Sequence, residues 1–181
     1  VANLPVPTLA SEIANNSFTA ALAKAGIYNT GNFLLNPPLF VGTQTSAQSI
    51  PNTGSSWTAI GLNTETIDSY TGHDNVTNNS RYTAQVAGSY LVCGVVAYAT
   101  NTTGVRAARI HYNGNVIQGS AQMTLASPGT NLTGVTTPIR AVPMSVGDYV
   151  EVAAWQNSGG SLNTATASDL SSGLWVCWAH A

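Results

Sequence analysis

Val105-Arg106-Ala107-Ala108-Arg109-Ile110-His111-Tyr112-Asn113-Gly114-Asn115-Val116-Ile117 sets an Asn-Gly pair between two β-prone runs. Such a pair accepts positive φ at both positions, which the two-residue turn of a hairpin demands. Moving outward, the same texture continues from residue 39 to residue 181: short β-prone runs split by Gly, Asn, Thr and Ser. Strands are expected at 39–46, 57–62, 65–70, 81–86, 89–100, 105–112, 115–121, 133–143, 149–156 and 173–179. Asn52-Thr53-Gly54, Ala87-Gly88, Asn101-Thr102-Thr103-Gly104, Pro128-Gly129, Gly147-Asp148 and Ser158-Gly159-Gly160 supply the turns between them. About ten strands with no helix between them specify an all-β sandwich or barrel rather than a βαβ fold.

Residues 1–40 differ. Pro5 and Pro7 prevent a regular start, and 11–25 reads as helix, with Ser11 as N-cap and Gly26 as stop. A shorter helix capped by Ser17 or Thr19 is the alternative. A second helical segment is expected over 27–35, closed by Asn36-Pro37-Pro38 because a residue before proline avoids the α region. Helices this short are unstable alone in water, so the arm needs a partner surface. Its apolar residues Phe18, Leu22, Ile27, Tyr28, Phe33, Leu34 and Leu35 are the candidate anchors. The chain therefore divides into an arm, 1–40, and a knob, 41–181.

Charged residues make up only 7% of the chain, against about 25% in an ordinary soluble domain. Lys24, Arg81, Arg106, Arg109 and Arg140 are scattered, with no basic stripe to neutralise phosphates, so nucleic acid is not an expected partner. No apolar run reaches the roughly 18 residues of a membrane span, and the first residues lack the basic and apolar regions of a secretory leader. Cys93 and Cys177 each sit in an apolar run, as two buried thiols or as one bridge between strands.

The catalytic inventory is thin. There is no Gly-x-Ser-x-Gly elbow, no paired Cys or His at zinc spacing and no phosphate-binding fingerprint. His73-Asp74 reads as a solvated loop pair, His111 as a structural strand residue beside Arg109, and Asp148 as a turn residue. His180 lies near the end of the chain. Asp68, Asp74 and Asp169 are the loop acids available to a cation. No catalytic, metal or cofactor residue is assigned.

Ser80-Arg81-Tyr82-Thr83-Ala84-Gln85-Val86-Ala87-Gly88-Ser89-Tyr90-Leu91-Val92 resembles a signature of the complement globular-head and tumour-necrosis-factor jelly rolls. Arg109 to Gly114, Val146 to Val152 and Ser172 to Val176 are similar to later segments of that family, in the right order. The arm adds Asn32-Phe33-Leu34-Leu35-Asn36-Pro37-Pro38, which resembles the segment leading into this jelly roll in tail- or head-associated proteins of phages of actinobacteria. The resemblance implies a ten-stranded jelly roll, a homotrimer and a place on the virion surface, after assembly in the bacterial cytoplasm. It also implies that 89–100 and 173–179 are neighbours, bringing Cys93 and Cys177 near each other.

The aromatic residues outnumber what one inner layer needs, so some are expected between subunits. The candidates are Tyr90, Tyr98, Trp155, Trp175 and Trp178; the alternative places them all in the core or half-exposed on strands. The function expected is a non-enzymatic trimeric knob of the minor-tail type. Residues 1–40 would bind other virion proteins, and loops 52–56, 70–80, 101–104, 127–132 and 156–163 would touch a host surface glycan. The alternative is a capsid decoration or head-fibre protein that ornaments or stabilises the shell.

Overall fold

A computed structural model describes residues 24–52 and 54–181. Phe18, Leu22 and most of the first expected helix lie outside the described residues. A π-helical segment, Lys24–Asn29, runs into the α-helix α1, Thr30–Leu35. Fourteen short strands follow among the described residues. They are β1 (Leu39–Thr43), β2 (Ser49–Ile50), β3 (Thr58–Ala59), β4 (Thr64–Asp68), β5 (Tyr82–Thr83), β6 (Gly88–Tyr98) and β7 (Val105–Tyr112), then β8 (Asn115–Val116), β9 (Gln122–Leu125), β10 (Thr133–Thr136), β11 (Arg140–Met144), β12 (Tyr149–Gln156), β13 (Leu162–Asn163) and β14 (Gly173–His180).

Two antiparallel sheets face each other. The first has the order β10-β6-β14-β1-β4, with β11 continuing along the edge of β6 that β10 leaves. The second has the order β3-β12-β7-β8, with β5 beside β3 on β12 and β9 beside β8 on β7. Strands β2 and β13 form a separate pair. Alternate residues point inward, so Tyr90, Val92, Val96 and Tyr98 of β6 meet Val150, Val152 and Ala154 of β12 in one core. Gly94 marks a close approach of the sheets: a Cβ there would lie 2.8 Å from Val152.

Several expected strands are shorter than the sequence suggests, 39–46, 57–62 and 81–86 among them; in two others a side chain takes over backbone partners. The expected strand 133–143 breaks at Thr137-Pro138. Pro138 has no N–H to donate, and Thr137 Oγ1 accepts from Gly94 N–H at 2.9 Å in place of the ladder. The expected strand 115–121 stops at Val116. Ser120 Oγ accepts from Ile110 N–H at 3.1 Å and donates to Ile117 O at 2.7 Å, closing a turn. The hairpin at Asn113-Gly114 forms as expected, with φ of 48° and 77° and Tyr112 paired with Asn115.

Helix α1 is fastened by one side chain. Phe33, 1% exposed, meets Trp178 edge-on at 4.7 Å and Tyr70 at 6.5 Å. It is an internal residue, not a free anchor. Ile27, Tyr28, Leu34 and Leu35 remain exposed. Strand β1 begins at Leu39, so the sandwich starts just inside the expected arm. Phe33→Ala is expected to cost about 3 kcal/mol, the ordinary penalty for emptying a buried aromatic site. The urea midpoint should fall and the Trp178 emission should shift to the red. An unchanged midpoint and spectrum would show that α1 is held elsewhere.

The strand registers sort the loops into two ends. Leu39 lies opposite Cys177 and Ser89 opposite His180, so the junction of the arm with β1 at 36–38 shares one end with 86–88, 113–114 and 145–148. Thr43 lies opposite Gly173, Thr133 opposite Tyr98 and Gln156 opposite Arg106. Residues 54–56 and loops 101–104, 127–132 and 156–163 therefore gather at the far end.

Candidate ligand-binding face

Strand β12 turns Tyr149, Glu151, Ala153 and Trp155 to the outside of the second sheet, and β7 sets His111 opposite Glu151 and Arg109 opposite Ala153. At about 3.3 Å per residue, Tyr149 to Trp155 spans roughly 20 Å. Apart from the buried Ala153, this row is polar or aromatic.

At the arm end the row opens into a cavity of about 470 Å³, lined by Thr71, His73, Asp74, Thr83, Gln85 and Tyr149 among others. The Arg81 guanidinium lies 4.0 Å over the Tyr149 ring. Its Nε donates to Glu151 Oε1 at 3.2 Å, and Ser80 Oγ donates to the same oxygen at 2.6 Å. Loop 69–80 is fastened beside this cavity by its own carboxylates. Asp68 accepts from Gly72 N–H at 3.0 Å and His73 N–H at 2.9 Å, and Asp74 accepts from Val76 and Thr77 N–H. Those two N–H groups hold the exposed Asp74 carboxyl below its ordinary value.

His73 is not a solvated loop residue. Its side chain is buried, with Nδ1 2.8 Å from Glu65 Oε1 and Nε2 3.0 Å from Asn79 O. Burial follows because the loop folds the ring back against Phe40, 5.0 Å away. Asp68 spends both carboxylate oxygens and Asp74 its Oδ1 on backbone donors, and Asp169 sits at the other end of the fold. No group of three metal-ligating residues occurs among the described residues. Asp148 is a turn residue: Ser145 N–H, Tyr112 Oη and Asn113 Nδ2 donate to it. The Tyr112 hydroxyl above all lowers its pKa.

At the far end the row closes on two indoles. Trp57 and Trp155 lie 6.3 Å apart with planes at 31°. Trp155 Nε1 donates to Gly54 O at 2.6 Å, and the Arg109 guanidinium sits 4.1 Å over the Trp57 ring. Arg109 Nε donates to His111 Nε2 at 2.7 Å, so that nitrogen carries no proton. Burial, then the neighbouring Arg109 charge, lowers the His111 pKa. The i, i+2 spacing of Arg109 and His111 puts both on this face, a relation visible in the sequence. The approach of Trp57 was not visible there.

The five aromatic residues expected between subunits do not share a surface. Tyr90 and Tyr98 are fully buried inside the chain. Tyr90 Oη donates to Val86 O, and Tyr98 Oη donates to Ala107 O and accepts from Trp155 N–H. Their hydroxyls found backbone partners inward, leaving no surface for a second chain. Trp155 lies on the second sheet and Trp178 packs under α1, which leaves Trp175 on the outer face of the first sheet. Cys93 and Cys177 are on that outer face too, half-buried and free rather than in the core. Trp175 lies opposite Cys93 and Leu91 opposite Cys177, so the thiols are diagonal neighbours on paired strands.

No family model and no curated protein matches the sequence. Solved structures do match in shape. The globular domain of zebrafish complement 1qA protein aligns over 79% of this chain and 98% of its own, with a TM-score of 0.55 at 10% identity. Eiger TNF from S. frugiperda aligns over 80% and 92%, with a TM-score of 0.53 at 13% identity. Murine APRIL aligns over 77% and 98%, with a TM-score of 0.52 at 11% identity. The two-sheet sandwich of this chain is thus a C1q/TNF-like jelly roll.

Proposed function

We propose that this chain is a non-enzymatic bacteriophage virion protein, a homotrimeric knob attached to the particle by its N-terminal arm and directed at the host cell surface. The observation that carries the proposal is the outer face of the first sheet. Leu39 and Val41 of β1, Leu91, Cys93 and Val95 of β6, and Trp175 and Cys177 of β14 form an apolar surface across three paired strands. No charged residue of those strands points out on it. A chain with so few charges elsewhere gains most by covering such a face with copies of itself. The resemblance to the complement and tumour-necrosis-factor jelly rolls supports three copies.

The virion assignment rests on the arm. Its Asn-Pro-Pro segment leads directly into β1, as in the phage proteins it resembles, and Ile27, Tyr28, Leu34 and Leu35 stay exposed beside it. Adhesion is favoured over shell decoration because four of the expected contact loops, together with Trp57 and Trp155, gather at the end away from the arm.

Light scattering should give a mass three times the 18.7 kDa of one chain. A variant lacking residues 1–29 keeps Phe33 and should remain a trimer while failing to join particles. A monomeric full-length protein would remove the knob. Antibodies against the knob should label virions in electron micrographs; label on cell debris alone would remove the virion assignment.

A further inference from the structure

Charge is scarce in this chain, so the use of each arginine is informative. Arg106 is wholly buried and spends its terminal nitrogens on Asn101, Thr103 and Val105. Arg140 donates to Gly119 O. Arg81 is paired with Glu151. Arg109 differs: among the described residues its guanidinium has neither a carboxylate within ion-pair distance nor an oxygen that accepts from it. Its one hydrogen bond there is from Nε to the unprotonated nitrogen of His111. Its two terminal nitrogens, with four N–H donors, meet no acceptor among the described residues.

The guanidinium is nonetheless held in place. The Nε bond fixes its direction and the Trp57 ring fixes its plane. Trp155, tied to Gly54 O, completes a half-exposed aromatic surface beside it. An immobilised cation with free donors, next to two indoles, is complementary to a ligand that combines an anion with a flat C–H face.

We propose that Trp57, Trp155 and Arg109 form a subsite for a carboxylated sugar, a uronic-acid residue of an acidic polysaccharide. The sugar's C–H face lies on the indole surface, where slightly positive hydrogens meet the negative ring face. Its carboxylate meets the terminal nitrogens of Arg109 in the two-point geometry that a guanidinium matches best. The subsite rests on the adhesion reading and lies at the end of the sandwich away from the arm.

Calorimetry on the full-length protein with tetramers of galacturonate, glucuronate and mannuronate tests it, alongside their methyl esters and a neutral galactose tetramer. At least one uronate should bind about tenfold or more tightly than its ester. Arg109→Gln should abolish that difference with an unchanged melting temperature, and Arg109→Lys should restore part of it. Trp155→Ala should weaken acid and ester alike. An ester that binds as well as its acid, or an acid preference that survives Arg109→Gln, overturns the subsite and leaves adhesion standing. Binding of a polyol-phosphate polymer in place of every uronate overturns the carboxylated ring. If no carbohydrate binds, adhesion falls with the subsite.

Discussion

If the chain assembles as proposed, Leu91→Asp is expected to give monomers without unfolding the sandwich. Leu91 lies on the outer face of β6, 44% exposed in the single chain, opposite Cys177 of β14. In the isolated chain an aspartate there is solvated and costs little. In the proposed trimer it is carried into an apolar contact, with no basic residue of β1, β6 or β14 on that face to pair it. Three copies so arranged would meet three times over, so an unpaired buried charge costing several kcal/mol at each contact outweighs ordinary subunit affinity. The mass by light scattering should fall to that of one chain while the far-ultraviolet spectrum is retained. Thr124→Asp on the exposed strand β9 is the control and should leave the mass unchanged. A Leu91→Asp protein that still assembles would show that the chains meet through another surface.

Arg106→Met is expected to lower stability by about 3 kcal/mol, with comparable side-chain volume retained. Arg106 is the largest fully buried side chain. Its Nη1 donates to Thr103 O at 2.9 Å and Val105 O at 3.1 Å, and its Nη2 to Asn101 O at 3.0 Å and Asn101 Oδ1 at 3.2 Å. It thereby gathers the carbonyls of the turn joining the two sheets. Burial lowers its pKa from the ordinary guanidinium value, and the Tyr98 ring, 5.9 Å away, gives modest compensation. Each bond is made by a charged donor, and removing the donor strands several acceptors together; water reaching the turn limits the loss to about 3 kcal/mol. Arg106→Lys should recover part of it, because an ammonium cannot reach all four acceptors at once. Urea unfolding monitored by fluorescence reads the change. A midpoint within error of the parent would mean that the turn closes without Arg106.

Strands β7 and β12 fall where the sequence puts them, because their boundaries are set locally by Asn-Gly and Gly-Asp turns. The failures have a common cause in contacts between residues distant along the chain. Thr137 breaks its strand by bonding Gly94, 43 positions away. His73 is buried because Glu65 and Asn79 close on it from both sides, and nothing in its immediate neighbours announces that. Alternation along β6 separates Tyr90 and Tyr98 from Cys93, yet which side is inside depends on the facing sheet. For the candidate site, Arg109, His111 and Trp155 follow from alternation and register. The decisive neighbour, Trp57, immediately precedes the two-residue strand β3, which pairs with β12 on the edge away from β7.

Because β1 and β14 are paired with Leu39 opposite Cys177, the chain enters and leaves the sandwich at the same end. Any polypeptide joined after Ala181, natural or engineered, would emerge beside the arm and compete with it for space. Cargo for display belongs instead at Ser158-Gly159-Gly160, an open turn on the opposite end where a Cβ at either glycine meets nothing.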